Sequence, residues 1–250
     1  MNKKNDFIVG NVFTTKKCGS VKVIEYESNT KVKVLFLDTG SEQYVTLQRL
    51  RSGGITDKFS KTYNGIGAIG NTTTKKDGKF KNSFLKWRCM LKRCGDKTYL
   101  KDKPTYQQCC VSETFSVYEN FEKWFDKQVG NGCIDFELDK DLLEKGNKIY
   151  SEDLCVLLPK DINMALIKKG STRGQYLIGV SKTKSGKFNS DCRVGKGIKI
   201  RGLFDTELEA FNAYKIAKEI YIKELANKWR DKIDERAYEA LMNYTVEITD

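Results

Sequence analysis

Phe136-Glu137-Leu138-Asp139-Lys140-Asp141, then Gly146-Asn147-Lys148, then Leu154-Cys155-Val156-Leu157-Leu158-Pro159 is the stretch on which the fold turns. The first run reads as a strand, the glycine-containing run as a loop, and Leu154 to Leu158 as a second strand. Pro159 stands where a helix begins readily, because its ring fixes φ and its missing N–H would find no partner in a first turn anyway. Lys160 to Ile167 is therefore predicted to be helical. Together these segments make a β-β-α unit.

On the C-terminal side, Gln175 to Ser181, Phe188 to Val194 and Ile198 to Phe204 read as three strands. Turns at Ser185-Gly186 and Gly195-Lys196-Gly197 separate them. Thr206 with Glu209 has the spacing of a capping box, and the helix behind it carries Ala210, Tyr214, Ala217, Tyr221 and Leu225 on one face. Ala237 to Asp250 is expected to add a short helix and an extended end.

On the N-terminal side, Phe84, Trp87, Met90 and Leu91 share a helical face from Asn82 onward. Ser116 with Glu119 resembles a second capping box, opening a helix with Tyr118, Phe121, Trp124 and Phe125. Aromatic stripes at that spacing read as core. Asn71 to Lys81 is polar and lysine-rich and reads as a domain boundary. The glycines of Tyr63 to Gly70 lack the spacing and strand–helix context of a phosphate loop, so that stretch is a connector. Between Phe7 and Asp57, Val21, Val23 and Glu25, then Val32, Val34, Phe36 and Asp38, alternate with period two, and Tyr44 to Leu50 is a further strand candidate. Four or five short strands in so little chain suggest a small Tudor-like barrel. The expected fold class is α+β and multidomain. A barrel occupies 1–57, a linker 58–81, a helical region with the β-β-α unit 82–168, a three-stranded sheet plus helix 169–230, and a tail 231–250.

Composition narrows the function classes. Lys+Arg 45 against Asp+Glu 33 gives a net charge of +12, which suits a phosphate-binding surface. A hydrophobic fraction of 39% is enough to build cores and argues against a disordered chain. No stretch approaches the roughly 18 apolar residues of a membrane span, and the lysines near Met1 are not followed by an apolar segment, so no membrane association and no signal peptide are expected. The eight cysteines fit free thiols in a reducing cytoplasm. Cys94, Cys109, Cys110 and Cys155 could converge on a zinc, but there is no C-x-x-C pair and no histidine in the chain to complete a mixed site. Buried thiols are the better reading.

Charge is concentrated in the C-terminal module. From Ile167 to Phe204 the cations are Lys168, Lys169, Arg173, Lys182, Lys184, Lys187, Arg193, Lys196, Lys199 and Arg201, against the single anion Asp191. With the helix covering one face of the sheet, the other face is free to enter a major groove. Lysines there would mainly hold phosphates, and Arg193 and Arg201 could read guanine edges. Arg173, Lys182, Lys184, Lys187, Arg193, Lys199 and Arg201 are the candidate DNA contacts.

The run Leu138-Asp139-Lys140-Asp141, Gly146 to Ser151, Cys155 to Pro159 and Ile162-Asn163 resembles phage HNH homing-endonuclease-like proteins. Trp87 to Cys94, the Phe121–Trp124 segment and Phe36-Leu37-Asp38-Thr39-Gly40 are also similar to that family, and Arg173 to Trp229 resembles the Apetala-type DNA-binding domain. The resemblance implies a ββα-metal fold acting on double-stranded DNA in the cytoplasm of an infected bacterium, with one divalent metal, Mg or Mn. By position, Asp139 matches the metal carboxylate, Asn163 the helix ligand and Asn147 the loop residue that orients the catalytic base. Lys140 stands where the family has its histidine base, and a lysine with a reference pKa of about 10.4 is protonated at neutral pH. Two classes stay open: a metal-dependent nuclease or nickase, and a non-catalytic DNA-binding protein such as a repressor or anti-defence factor. A host protein is a further partner class for the N-terminal barrel.

Overall fold

The computed structural model describes residues 8–129, 136–167, 175–195 and 198–250, with 198–200 as backbone only. The chain is α+β, built from several small sheets and intervening helices. It divides into two compact units, Met1–Trp124 with Lys148–Glu152, and Phe125–Asn147 with Asp153–Asp250.

The first unit opens with β1 (Val12–Thr14), β2 (Ser20–Ser28), β3 (Lys31–Phe36) and β4 (Glu42–Val45), an antiparallel meander in the order β1-β2-β3-β4. Val21, Val23, Val32, Val34 and Phe36 are fully buried on one side, as their period-two spacing predicts. The expected barrel is not closed: among the described residues β1 and β4 remain edges. The reason lies at Tyr44 to Leu50, which the sequence suggests as a single strand. Thr46 ends the extended run by accepting the Arg49 N–H at 3.3 Å, and α1 (Leu47–Arg51) follows. Leu47 and Leu50, spaced for a helix rather than a strand, cover the core with Ile55.

Next come the short hairpin strands β5 (Lys75–Lys76) and β6 (Lys79–Phe80), then α2 (Asn82–Gly95) and α3 (Lys97–Asp102). Phe84, Trp87, Met90 and Leu91 of α2 are all buried, as the helical spacing predicts. β7 (Cys110–Val111) pairs in parallel with β9 (Ile149–Tyr150), and α4 (Glu113–Ser116) and α5 (Tyr118–Val129) follow β7. The Trp87 indole donates to the Phe115 carbonyl at 2.7 Å, so the largest core side chain is also satisfied as a donor. Ser116 is not a helix cap. Ser112 caps α4 by accepting the Phe115 N–H at 3.1 Å, and Ser116 donates back to Glu113 O at 2.7 Å.

In the second unit β8 (Phe136–Asp139) pairs antiparallel with β10 (Val156–Pro159), and α6 (Lys160–Leu166) starts directly after Pro159. This is the anticipated β-β-α unit. β11 (Val180–Lys182), β12 (Phe188–Val194) and β13 (Ile198–Phe204) form an antiparallel sheet in that order, followed by α7 (Glu207–Trp229) and α8 (Glu235–Met242). Both halves of the Thr206–Glu209 capping box are present at the start of α7. α7 serves two cores. Phe211 and Tyr214 pack with Cys192 and Ile178 of the sheet region, while Ile222, Leu225 and Ala226 pack with Val156, Leu158, Ile162 and Ala165 of the β-β-α unit. One long helix thus fixes the sheet and the β-β-α unit to a common axis.

Candidate functional site

The three-stranded sheet has two chemically different faces. Cys192 and Val194 pack toward α7, so Asn189, Asp191 and Arg193 between them face away. Cross-strand partners share a face, and the register pairs Asn189 with Leu203, Asp191 with Arg201, and Arg193 with Lys199. Ser181 joins this outer face through its pairing with Asn189. Arg193 is exposed and forms no ion pair among the described residues. The Arg201 guanidinium lies 3.7 Å from the Asp191 carboxylate, and its side chain is 65% exposed. A pair that open contributes little to stability, but it does orient the guanidinium across the sheet.

The other predicted contacts gather elsewhere. Lys182 pairs with Phe188 on the helix side of the sheet, its Nζ 5.5 Å from the ring. Lys184 sits exposed in the turn between β11 and β12, and Lys187 reaches Asp205 at 3.1 Å. These lysines form the end of the module, and Arg193 and Arg201 its flat face. Arg173, Lys168, Lys169 and Lys196 lie outside the described residues, as does the side chain of Lys199.

The β-β-α unit carries the second constellation. A cavity of about 660 Å³ is lined by Asp139, Asp141, Lys145, Asn163, Tyr244 and Glu247, among others. Asp139 ends β8 and Asn163 sits on α6, whose neighbouring Ile162 and Ala165 are buried in the core. α6 is pinned to α7 because the Asp161 carboxylate accepts Lys228 Nζ at 2.7 Å and Trp229 Nε1 at 3.1 Å. Asp139 and Asn163 therefore reach one cavity from two elements with fixed positions.

Asp139 Oδ1 accepts the backbone N–H groups of Asp141 and Leu142 at 2.9 and 2.8 Å, which turns the chain after β8. Burial pushes its carboxyl above the ordinary value, and those two N–H groups only partly offset the effect. Lys140 lies outside the cavity lining. Its side chain is buried, and its ammonium donates to the Asn147 carbonyl and to Asp141 Oδ1 at 2.7 Å. The Asn147 amide returns a hydrogen bond to Lys140 O at 2.8 Å. Lys140 and Asn147 thus hold each other across the loop.

Asp139 and Asn163 both line this cavity, and a carboxylate with an amide oxygen is the kind of hard-donor pair that a small divalent cation takes, completed by water or phosphate oxygens. Of the charged groups lining it, Asp141 is paired with Lys140 at 2.7 Å and Lys145 with Asp250 at 2.6 Å, which leaves the carboxyl groups of Asp139 and Glu247. A phosphodiester entering without a cation would meet net repulsion. Among the described residues no three His, Cys, Asp or Glu side chains converge on a metal position. The seven described cysteines form no disulfide. Among the described residues no helix is long and apolar enough to cross a membrane.

No family model, no curated protein and no solved structure matches this chain.

Proposed function

We propose that the protein binds double-stranded DNA through the outer face of β11–β13, with Arg193 and Arg201 addressing base edges and Lys182, Lys184 and Lys187 holding phosphates at the module's end. The observation that carries this reading is the segregation of the sheet. One face is sealed by α7, and the other presents two arginines with only Asp191 between them. Three strands spaced about 4.8 Å apart are roughly 10 Å across, which fits a major groove of about 12 Å. A guanidinium in that groove offers the paired donors that guanine O6 and N7 accept, each good pair being worth about 1–3 kcal/mol of discrimination.

Fluorescence anisotropy on labelled duplexes tests this directly. Wild-type affinity should fall steeply as salt rises, because bound cations release counterions from the duplex. Replacing Lys182, Lys184 and Lys187 by alanine should flatten that slope by up to about 0.9 for each phosphate that the variant no longer neutralises. Salt-independent binding, or an unchanged slope in the triple variant, would remove the basis for this surface.

A second reading has its own support: Asp139 and Asn163 line one acidic cavity. Those two residues would hold a divalent metal, which supplies Lewis-acid activation of a phosphodiester when bound. Cleavage or nicking of the bound DNA would follow at this centre. Lys140 stands at the base position of the resemblance but serves the loop, so turnover is expected to be slow. A general base typically contributes about 10²–10⁴-fold. Plasmid nicking with Mg²⁺ or Mn²⁺ should be abolished by Asp139→Ala while duplex affinity is retained. Equal nicking by wild type and Asp139→Ala would show that the cavity is not the centre.

A further inference from the structure

Residues 71–81 hold a feature that the DNA-binding reading of the C-terminal sheet does not use. Asp77 and Gly78 both have positive φ, 51° and 75°, the backbone of a two-residue turn whose twist matches the flanking strands. β5 and β6 therefore close into a tight hairpin, with Lys75 opposite Phe80 and Lys76 opposite Lys79. Every residue from Lys75 to Phe80 is exposed.

Its base is firmly rooted in the first unit. Glu119 Oε2 accepts the Asn71 N–H at 2.9 Å, and Glu122 accepts Thr72 Oγ1 at 2.5 Å and Lys81 Nζ at 2.8 Å. Phe80 stacks on Phe84 of α2, with centroids 5.3 Å apart. Lys75 Nζ lies 4.8 Å from the Phe80 ring and the Arg88 guanidinium 5.8 Å from the Phe84 ring, so a cation flanks each end of this aromatic pair.

The charges separate by role. Lys81 at the root is neutralised by Glu122, whereas Lys75, Lys76 and Lys79 have no ion-pair partner among the described residues. Lys76 and Lys79 are moreover direct cross-strand neighbours, and like charges directly opposite each other destabilise a ribbon. Two strands of two residues bury too little to offset that cost through packing of their own. A polyanion laid along the ribbon would relieve it.

We propose that the Lys75–Phe80 hairpin is a second duplex-DNA contact, a rigid basic prong that grips the phosphate backbone through Lys75, Lys76 and Lys79. It carries no sequence information, because lysine ammonium groups on phosphates position a protein without reading bases. Its contribution is affinity and an additional grip on the duplex, separate from the sheet that reads it.

The test compares the full chain with Lys75→Ala/Lys76→Ala/Lys79→Ala, with the corresponding triple Lys→Arg variant, and with Arg193→Ala/Arg201→Ala, all on one labelled duplex across a salt series. The alanine variant should lower the magnitude of the log K against log salt slope by about 2–3 units, near 0.9 for each of three phosphates. The arginine variant should keep the wild-type slope, and thermal melting of the alanine variant should not fall, because the substituted side chains are exposed and the Lys76–Lys79 repulsion is removed. An unchanged slope in the alanine variant, with weaker binding by Arg193→Ala/Arg201→Ala, would overturn the prong and leave the sheet reading standing. A reduced slope, with no effect of the two arginine substitutions, would support the prong and count against the sheet. A wild-type chain that does not bind duplex DNA would overturn both.

Discussion

Lys140 is buried, and its ammonium is hydrogen-bonded within the loop that encloses it. Its ammonium satisfies the Asn147 carbonyl, whose own amide satisfies Lys140 O. Lys140→Ala would remove the hydrogen bonds from the buried ammonium to Asn147 O and Asp141 Oδ1, and a loss of about 1–3 kcal/mol is expected by denaturant unfolding. Lys140→His is the informative change for chemistry. An imidazole can donate to Asn147 O from one nitrogen and leave the other to accept a proton near neutral pH. Metal-dependent nicking should then rise above wild type, provided that Asp139 and Asn163 hold the cation. No rise with any divalent metal would make this loop a scaffold alone. Lys140, Asn147, Asp139 and Asn163 are singled out in the sequence by the resemblance alone, since neither spacing nor composition marks them. That Lys140 turns inward is not legible either, because a lysine beside two aspartates reads as a solvated residue until the loop that encloses it is known.

Among the elements, α7 and the sheet beneath it depend on one close approach. Gly179 precedes β11 with φ of +78°, and a Cβ there would come within 2.1 Å of the Tyr214 ring. Gly179→Ala is strained in its backbone and overpacks a ring that cannot yield, so the loss should reach or exceed the roughly 1–3 kcal/mol typical of overpacking. Thermal melting is expected to fall, and duplex binding to fail with the sheet. The same element scale shows why the sequence is transparent in some places and opaque in others. β12, β13, α2 and α7 are legible because each carries a long periodic stripe or a capping box. The Leu47–Arg51 helix escapes a reading of the sequence because its two apolar residues sit in a stretch short enough to suit either period. The β5–β6 hairpin reads as a boundary although Asp77-Gly78 is a strong turn signal, because its strands have no apolar alternation to mark them.

For the molecule as a whole, acid sensitivity follows from three carboxylates. Burial pushes Asp161 upward, but Lys228 and Trp229 outweigh it; for Asp234 Arg236 and Gln128 do the same, and for Glu122 Lys81, Thr72 and Tyr118. Each is held below its ordinary value, so the stability it contributes is complete above the unfolded pKa of about 4. That contribution is lost as pH falls through the lower folded values. Melting temperature should change little from these groups between about pH 7 and pH 5 and drop below about pH 4. Asp234→Asn should lower it at neutral pH and flatten the acid limb, and an unaltered acid limb would contradict the assignment.

The central claim is that the face of β11–β13 turned away from α7 reads duplex DNA. Selection from a randomised duplex pool, run in parallel with wild type and Arg193→Ala/Arg201→Ala, tests it most directly. Wild type is expected to enrich a guanine-containing motif, and the double variant to retain DNA without enriching it. Enrichment of the same motif by both proteins, or of no motif by wild type, would contradict the claim.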